Sequence, residues 1–302
     1  MIHGSWFWRC KHGGTVIPVH PAPLASRRQL GAALRQHRID ANLSLKDVAD
    51  QLLCSPSKVS RIESAQRNIS ARDVRDLIGV YRITDPDIRA RLNRLAAESR
   101  ETAWWAPYNL PPAYERFIGL EGAATAKYEY QLGVVPGLLQ TLEYSASIVS
   151  AWTDDPDAVR EAAEVRQKRQ EFIGQDTDLD FVVDESVFHR FMGDATTMRG
   201  QIRKLIELSE SSRITFQVIP FSAGAHQGLV SGFEILRFAD SAAADSAAEM
   251  SDVVFLEGVV NSSYLDSTDE VDGYLKAFRG LQSRALDRQD TLSFLKARLQ
   301  HR

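Results

Sequence analysis

Between Ser44 and Glu63 the chain writes two short helices almost back to back, which leaves very few folds open. Ser44 sits three residues before Asp47, an acidic form of the reciprocal cap in which a serine hydroxyl and an N3 carboxylate satisfy each other's backbone amides. Leu45, Val48, Ala49 and Leu52 then supply one apolar face. Ser55-Pro56 restarts the helix almost at once: serine caps, and proline at the first helical position gives up only an amide that would go unpaired anyway. Val59 and Ile62 point inward, while Ser57, Lys58, Ser60 and Arg61 point outward. Two helices joined by three or four residues, with small Ala49 at their closest approach, form a helix-turn-helix. Leu30, Ala33 and Leu34 give a preceding helix from Arg28 to about Asn42. Ser70 opens a fourth, with Val74, Leu77 and Ile78 inward, and Asp85-Pro86 opens a fifth that runs through Leu92 and Leu95 to about Ser99.

Charge is distributed to match. The whole chain carries −4, but residues 26–100 hold 15 Lys and Arg against 9 Asp and Glu, whereas residues 101–302 carry −12. A basic block followed by an acidic one implies different partners for the two parts. In a helix-turn-helix the outward face of the second helix enters a DNA major groove, so Ser57, Lys58 and Arg61 fall where base edges and phosphates lie.

The stretch from Leu30 to Tyr81 resembles the Cro/lambda-repressor-like (XRE) helix-turn-helix family. The residues that carry this are Leu34-Arg35, Ser44-Leu45, Asp47-Val48-Ala49, the string Ser57-Lys58-Val59-Ser60-Arg61-Ile62-Glu63, and Arg67-Asn68-Ile69. The resemblance implies binding to double-stranded DNA. In it Ser57 and Arg61 read bases, Pro56 makes an apolar contact, and Ser44, Ser55, Lys58 and Arg67 hold phosphates. Glu63 is expected to hold a nearby arginine, and Cys54 to be a small core residue. Leu53 stands where the family has a turn glycine; because a β-carbon disfavours positive φ, a differently shaped turn is expected there.

Residues 1–26 read as a disordered leader. Pro18, Pro21 and Pro23 oppose regular structure, Arg9, Lys11 and His12 interrupt any secretory core, and a valine-type start codon near Val16 or Val19 would remove most of it. The head then spans 27–100. Trp104-Trp105 with Pro107, Pro111 and Pro112 marks a linker over 101–112, and 113–302 forms a second domain. Its expected helices are 114–130, 140–152, 156–173, 195–211 and 269–300, and its expected strands 179–183, 214–219, 232–238 and 253–257. The second and third strands flank the glycine-rich 223–228 turn and are expected to pair. Residues 239–251 read as a mobile loop. The fold class is therefore mixed: an all-α five-helix head followed by an α+β domain.

This second region resembles the C-terminal domain of unknown function fused to such heads in WhiJ-like actinobacterial regulators. The strings are Tyr128-Glu129, then Val135-Pro136-Gly137-Leu138-Leu139-Gln140-Thr141, Glu143-Tyr144, Arg166-Gln167-Lys168-Arg169-Gln170, Val183-Asp184-Glu185, Gln217-Val218-Ile219-Pro220 and Gly232-Phe233. The resemblance implies regulation, beside a small partner protein encoded next door, and no enzymatic activity.

Residue chemistry offers little against that. Glu185 and His189 are four apart, but a zincin needs two histidines and a third ligand. His226 lies near Ser222 without a Gly-x-Ser-x-Gly elbow, and no Gly-x-x-x-x-Gly-Lys loop occurs. Gly137 reads as the positive-φ position of a turn. Cys10 and Cys54 have no metal spacing and suit a reducing cytoplasm. No cofactor, metal or membrane segment is expected. Two functional classes remain: a DNA-binding transcriptional regulator, dimeric so that two heads span half-sites one helical turn apart, whose second domain senses a small molecule or a partner; or an antitoxin-like protein that neutralises a small neighbouring-gene product and uses DNA binding for autoregulation. Candidate recognition surfaces are the Pro136–Thr141 turn, the 223–228 loop, and Trp104, Trp105 and Tyr108.

Overall fold

In the computed structural model, residues 19–20, 23–173, 177–210, 213–238 and 251–300 are described. The head is five helices: α1 (Pro23–Asp40), α2 (Leu45–Gln51), α3 (Pro56–Glu63), α4 (Ala71–Val80) and α5 (Pro86–Glu98). Leu30, Leu34, Val48, Ala49, Val59, Ile62, Ile69, Val74, Leu77 and Leu92 close one apolar core, with Cys54 packed at its margin. Ser44, Ser55, Ser70 and Asp85 each cap the helix that follows.

The ends of α1 to α4 share one device. Asn42, Leu53, Ala65 and Arg82 all take φ between 50° and 58°. After each, the next amide reaches back five residues: Leu43 to the Arg38 carbonyl (3.1 Å), Cys54 to Ala49 (2.9 Å), Gln66 to Arg61 (2.9 Å) and Ile83 to Ile78 (3.1 Å). These are Schellman closures, which ordinarily place glycine at the left-handed residue. Leu53 therefore departs from expectation. The turn keeps its left-handed shape and the side chain, 94% exposed, tolerates it.

The first helix also begins earlier than expected. Pro23–Ser26, assigned to the leader, form its opening turn, and β1 (Val19–His20) pairs in parallel with β2 (Thr102–Ala103). Residues 1–18 lie outside the described residues. The expected linker is likewise folded. Trp104 and Trp105 are 4% and 6% exposed and join Leu110 in a core with α6 (Pro112–Glu121). Their prolines punctuate a packed segment.

The second domain is built on a six-stranded sheet ordered β5-β4-β3-β6-β7-β8. The strands are β3 (Ala126–Gln131), β4 (Asp178–Asp184), β5 (Ile214–Ile219), β6 (Phe233–Arg237), β7 (Val253–Glu257) and β8 (Ser262–Leu265). β3, β4 and β5 run parallel, joined by α7 (Leu142–Val149), α8 (Pro156–Phe172) and α9 (Ala195–Ser209); β6, β7 and β8 are antiparallel. One face carries Leu179, Phe181, Val183, Phe216 and Val218 against α7, α9 and α11 (Arg288–Gln300), and Leu236, Val253 and Phe255 against α6 and α8. The other carries Tyr128, Tyr130, Val182, Ile235 and Val254 against α10 (Thr268–Gln282).

Four expectations change here. The 214–219 and 232–238 strands do not pair; β4 and β3 stand between them. The 114–130 helix stops at Glu121 and the chain returns as β3, while 269–300 divides into two helices. Gly137 has no positive φ and begins a 3-10 turn; it is small because the Arg169 guanidinium would lie 3.3 Å from its Cβ. The 239–250 loop lies outside the described residues.

β3 was hidden by its charges. Lys127 is fully buried among Glu121 at 2.6 Å, Glu129 at 2.9 Å and Glu234. Arg169 forks onto Glu121 through bonds of 2.7 and 2.8 Å and donates to Tyr114 Oη at 2.8 Å. Burial pushes the Glu121 carboxyl up, but Arg169 and Lys127 outweigh it and hold it at about 2. Glu234 goes the other way, to about 8, through burial and then repulsion from Glu129, against the pull of Lys127. Three carboxylates facing two cations thus retain one proton.

Two consequences are testable. Leu53→Gly removes a left-handed side chain worth about 1–2 kcal/mol of strain, partly offset by glycine entropy, so the urea midpoint should rise by about 0.5–1 kcal/mol in stability. Glu234 has a folded pKa raised above its unfolded value, so its contribution is full below about 4.5 and is lost as pH rises toward 8. Denaturation between pH 5 and 9 should therefore show stability falling with pH, and Glu234→Gln should flatten that slope. An unchanged slope would remove Glu234 from the account.

Candidate nucleic-acid interface

The outer surface of α3 is set by what lies beneath it. Val59 and Ile62 are buried, and α3 lies on α1 and α2. The crossing with α1 is tight: a Cβ at Gly31 would come within 2.6 Å of the Glu63 carbonyl and 2.9 Å of that of Ile62. Glu63, at the end of α3, takes both arms of Arg38 at 2.8 and 2.9 Å, and Arg38 also donates to the Leu43 carbonyl at 2.9 Å. Bidentate pairs of this kind fix orientation as well as distance. The arginine sought for Glu63 is therefore Arg38. Tyr81 Oη adds a longer contact to Glu63 at 3.4 Å; burial, then the Glu63 charge, pushes its hydroxyl well above the usual phenol range.

With the scaffold fixed, the polar residues fall on one side. Ser44 caps α2, accepting the Asp47 amide at 3.2 Å, while the Asp47 carboxylate accepts the Ser44 amide at 2.8 Å. The Ser44 hydroxyl, and then the Ser44 amide, hold the Asp47 carboxyl below its ordinary value. Ser55 accepts the Lys58 amide at 3.2 Å. Ser44, Ser55, Pro56, Ser57, Ser60, Arg61 and Arg67 are all exposed, with the Arg61 Nε folded back to the Ser57 carbonyl at 3.2 Å.

Lys58 differs from the rest. It is half-buried, and its ammonium lies 2.6 Å from Asp73 on α4. Asp73 also accepts from the Ser70 hydroxyl and, through that cap, anchors α4. Burial raises the Asp73 carboxyl, but Lys58 and Ser70 outweigh it and leave it lowered. Asp73 was missed in the sequence because it caps its own helix three residues after Ser70, which looks sufficient; its second partner is fifteen residues upstream.

The second domain meets the head at the start of α1, where Leu24 lies against Gly119 of α6. Within the head that same stretch is tied to the end of α5: Ser26 Oγ donates to Glu98 at 2.9 Å and Arg27 to the Ser99 carbonyl at 3.4 Å. These contacts gather at the start of α1 and the end of α5, and among the described residues the outer face of α3 stays exposed.

The residues considered for chemistry are engaged by one another and by neighbouring groups. Glu185 and His189 occupy a 3-10 turn, 3.0 Å apart, and Glu185 is locked by Arg298 at 2.6 Å and by the Phe221 amide at 2.8 Å. Burial pushes its carboxyl up and these hydrogen bonds pull it further down. His226 meets Asp184 at 3.3 Å and the Tyr130 ring rather than Ser222. Among the described residues no cluster of three His, Cys, Asp or Glu side chains could hold a metal ion, and no helix is long and apolar enough to cross a membrane. The Pro136–Thr141 turn is no open surface: Leu138, Leu139 and Gln140 are buried, with Gln201 and Lys204 bonded to its backbone.

Five helices, with the outer face of α3 exposed, make the head a helix-turn-helix domain. Residues 29–92 match the family model described as a helix-turn-helix domain. Residues 114–297, more than half of the chain, match the one described as a domain of unknown function (DUF5753), and the chain belongs to that family. No curated protein and no solved structure matches it.

Proposed function

We propose that this protein is a sequence-specific DNA-binding transcriptional regulator of the cytoplasm, in which α3 enters the major groove of double-stranded DNA. The observation that carries this is the exposed row Ser57, Ser60 and Arg61 on a helix whose other side is fixed by Gly31 and the Arg38–Glu63 fork. Arg61 reads a base, since its fork fits the guanine edge; Ser57 stands beside it, and Pro56 makes an apolar contact. Ser44, Ser55 and Arg67 hold phosphates, two of them at helix starts whose amides favour an anion. Lys58 joins them by exchanging Asp73 for phosphate. One head makes few base contacts, so the working form is a homodimer on two half-sites. The second domain is read as a sensor of an effector, and no reaction is assigned to it.

Arg61→Ala should cost about 1–3 kcal/mol of operator affinity and relax preference at one base pair, measured by anisotropy on operators selected from genomic DNA. Wild-type binding should fall steeply with salt. Equal affinity of both proteins for every duplex, at low and high salt, would end this reading.

A second reading, an antitoxin-like protein that binds a small neighbouring-gene product, is favoured by a different observation. Phe191, Phe221, Leu229, Val230, Val259 and Val260 are exposed in loops at the end of the sheet where β3, β4 and β5 finish. Apolar side chains gathered at one end suit a protein contact. Co-expression with the adjacent gene should yield a co-purifying complex that Val230→Glu disrupts; a chain that purifies alone from that co-expression speaks against a partner.

A further inference from the structure

Helix α1 is shared. Its opening turn touches the second domain, with Leu24 against Gly119 of α6, while Leu30 and Leu34 lie in the head core. Arg28 sits between these two allegiances. Its side chain is 19% exposed, its Nη1 is buried with no hydrogen-bond partner, and its carboxylate partner, Asp266, is 3.7 Å away and mostly in solvent. From the second domain Arg116 approaches the same place: it lies one turn before Gly119, on which Leu24 rests, and against Tyr264, two residues before Asp266. That guanidinium is held 4.0 Å over the Tyr264 ring, and the Tyr264 hydroxyl is anchored on the Ala113 carbonyl. The Arg28 pKa is lowered, first by burial and next by Arg116, whose repulsion exceeds the attraction of Asp266. Arg27, the next residue back, also has a buried Nε without a partner. Of the other carboxylates that act on Tyr264, Glu234 is engaged by Lys127.

Two cations of like charge around one exposed carboxylate, one of them largely buried and short of acceptors, are costly to hold. A buried donor left unpaired in a folded protein calls for an explanation, and an acceptor that binds there supplies one. Guanidinium groups offer the planar fork that phosphate and carboxylate oxygens accept. We infer that Arg28 and Arg116 form a binding site, at the junction of head and second domain, for a small dianion bearing phosphate or carboxylate groups. Tyr264 holds Arg116 in place, and the anion displaces Asp266 from Arg28. Because the two arginines come from different domains, the bound anion ties the head to its neighbour and fixes the direction in which α3 is presented. Only that last consequence rests on the DNA-binding reading; the site itself does not.

The full-length chain should be melted without DNA in rising inorganic phosphate, with a parallel series in succinate, chloride keeping ionic strength constant. A saturable rise in midpoint in at least one series is expected, and Arg116→Gln, a change at an exposed side chain, should weaken the apparent affinity at least tenfold. Arg61→Ala should keep the full response, which separates this site from phosphate binding on α3. The inference is overturned by a wild-type chain indifferent to both anions, by an unchanged response in Arg116→Gln, or by loss of the response in Arg61→Ala. Arg116→Gln should also melt higher than wild type in chloride alone, because the repulsion on Arg28 is gone; a lower midpoint would contradict the strained pair. The DNA titration of Arg61→Ala can fail or succeed independently of all four results.

Discussion

The grip of α1 on α3 is the constraint from which the head's surface follows. Gly31 lets the backbone of one helix touch the last turn of the other, and Arg38 closes on Glu63 from the same helix two turns further on. A contact of backbone on backbone leaves no room for rotation. A two-armed ion pair, largely shielded from water, adds a fixed angle. Between them they decide which residues of α3 are buried and which are free, and Ser57, Ser60 and Arg61 are free as a result. The same helix, followed toward its start, passes into the second domain. One helix therefore orders the exposed face of α3 toward one end and touches the second domain at the other.

Most of the head was legible because its signals are local. Ser44 with Asp47, Ser55 with Pro56, Ser70 and Asp85 are caps, and a cap needs only the residues next to it. Apolar spacing inside each helix then placed Val48, Val59, Ile62, Val74, Leu77 and Leu92 correctly. Leu53 shows where such reasoning stops. A leucine argues against positive φ, yet the Schellman closure from Cys54 to Ala49 and the packing of two helices on either side impose it. Tertiary geometry overrides a preference of one or two kcal/mol without difficulty. Among the candidate DNA contacts, six of seven residues came out exposed as the pattern required, and Lys58 did not, because its partner Asp73 belongs to another helix.

The second domain was harder for a physical reason. β3 is a central strand, and central strands of this kind normally read as apolar runs. Here Lys127 and Glu129 alternate with Tyr128 and Tyr130, so the charged face looks like solvent and the strand passes for the end of α6. The charges are tolerable because Glu121, Glu234 and Arg169 arrive from two helices and a neighbouring strand, none adjacent in sequence. A network of this sort contributes little net stability, since each ion must be stripped of water. It is, however, intolerant of misalignment, and it fixes α6 and α8 over the sheet in a single arrangement. That matters because α6 carries both Gly119, against which α1 rests, and Arg116.

Position and charge meet at that point. If the second domain were merely tethered, a change inside it could not reach α3. The described contacts are not those of a tether: Trp104 and Trp105 are buried, β1 pairs with β2, and Leu24 of α1 lies against Gly119 of α6. Through α6 the buried ionic network is one helix away from α1, and through α1 it is one helix away from α3. Coupling along such a path requires an element with two arrangements of similar free energy. The proposed site at Arg28 and Arg116 lies on that path, with unpaired buried nitrogens on Arg27 and Arg28, so a modest gain in free energy there is best placed to choose between arrangements. The Arg38–Glu63 fork and the Gly31 crossing, by contrast, each hold one geometry, and so keep α1 and α3 together whatever that choice.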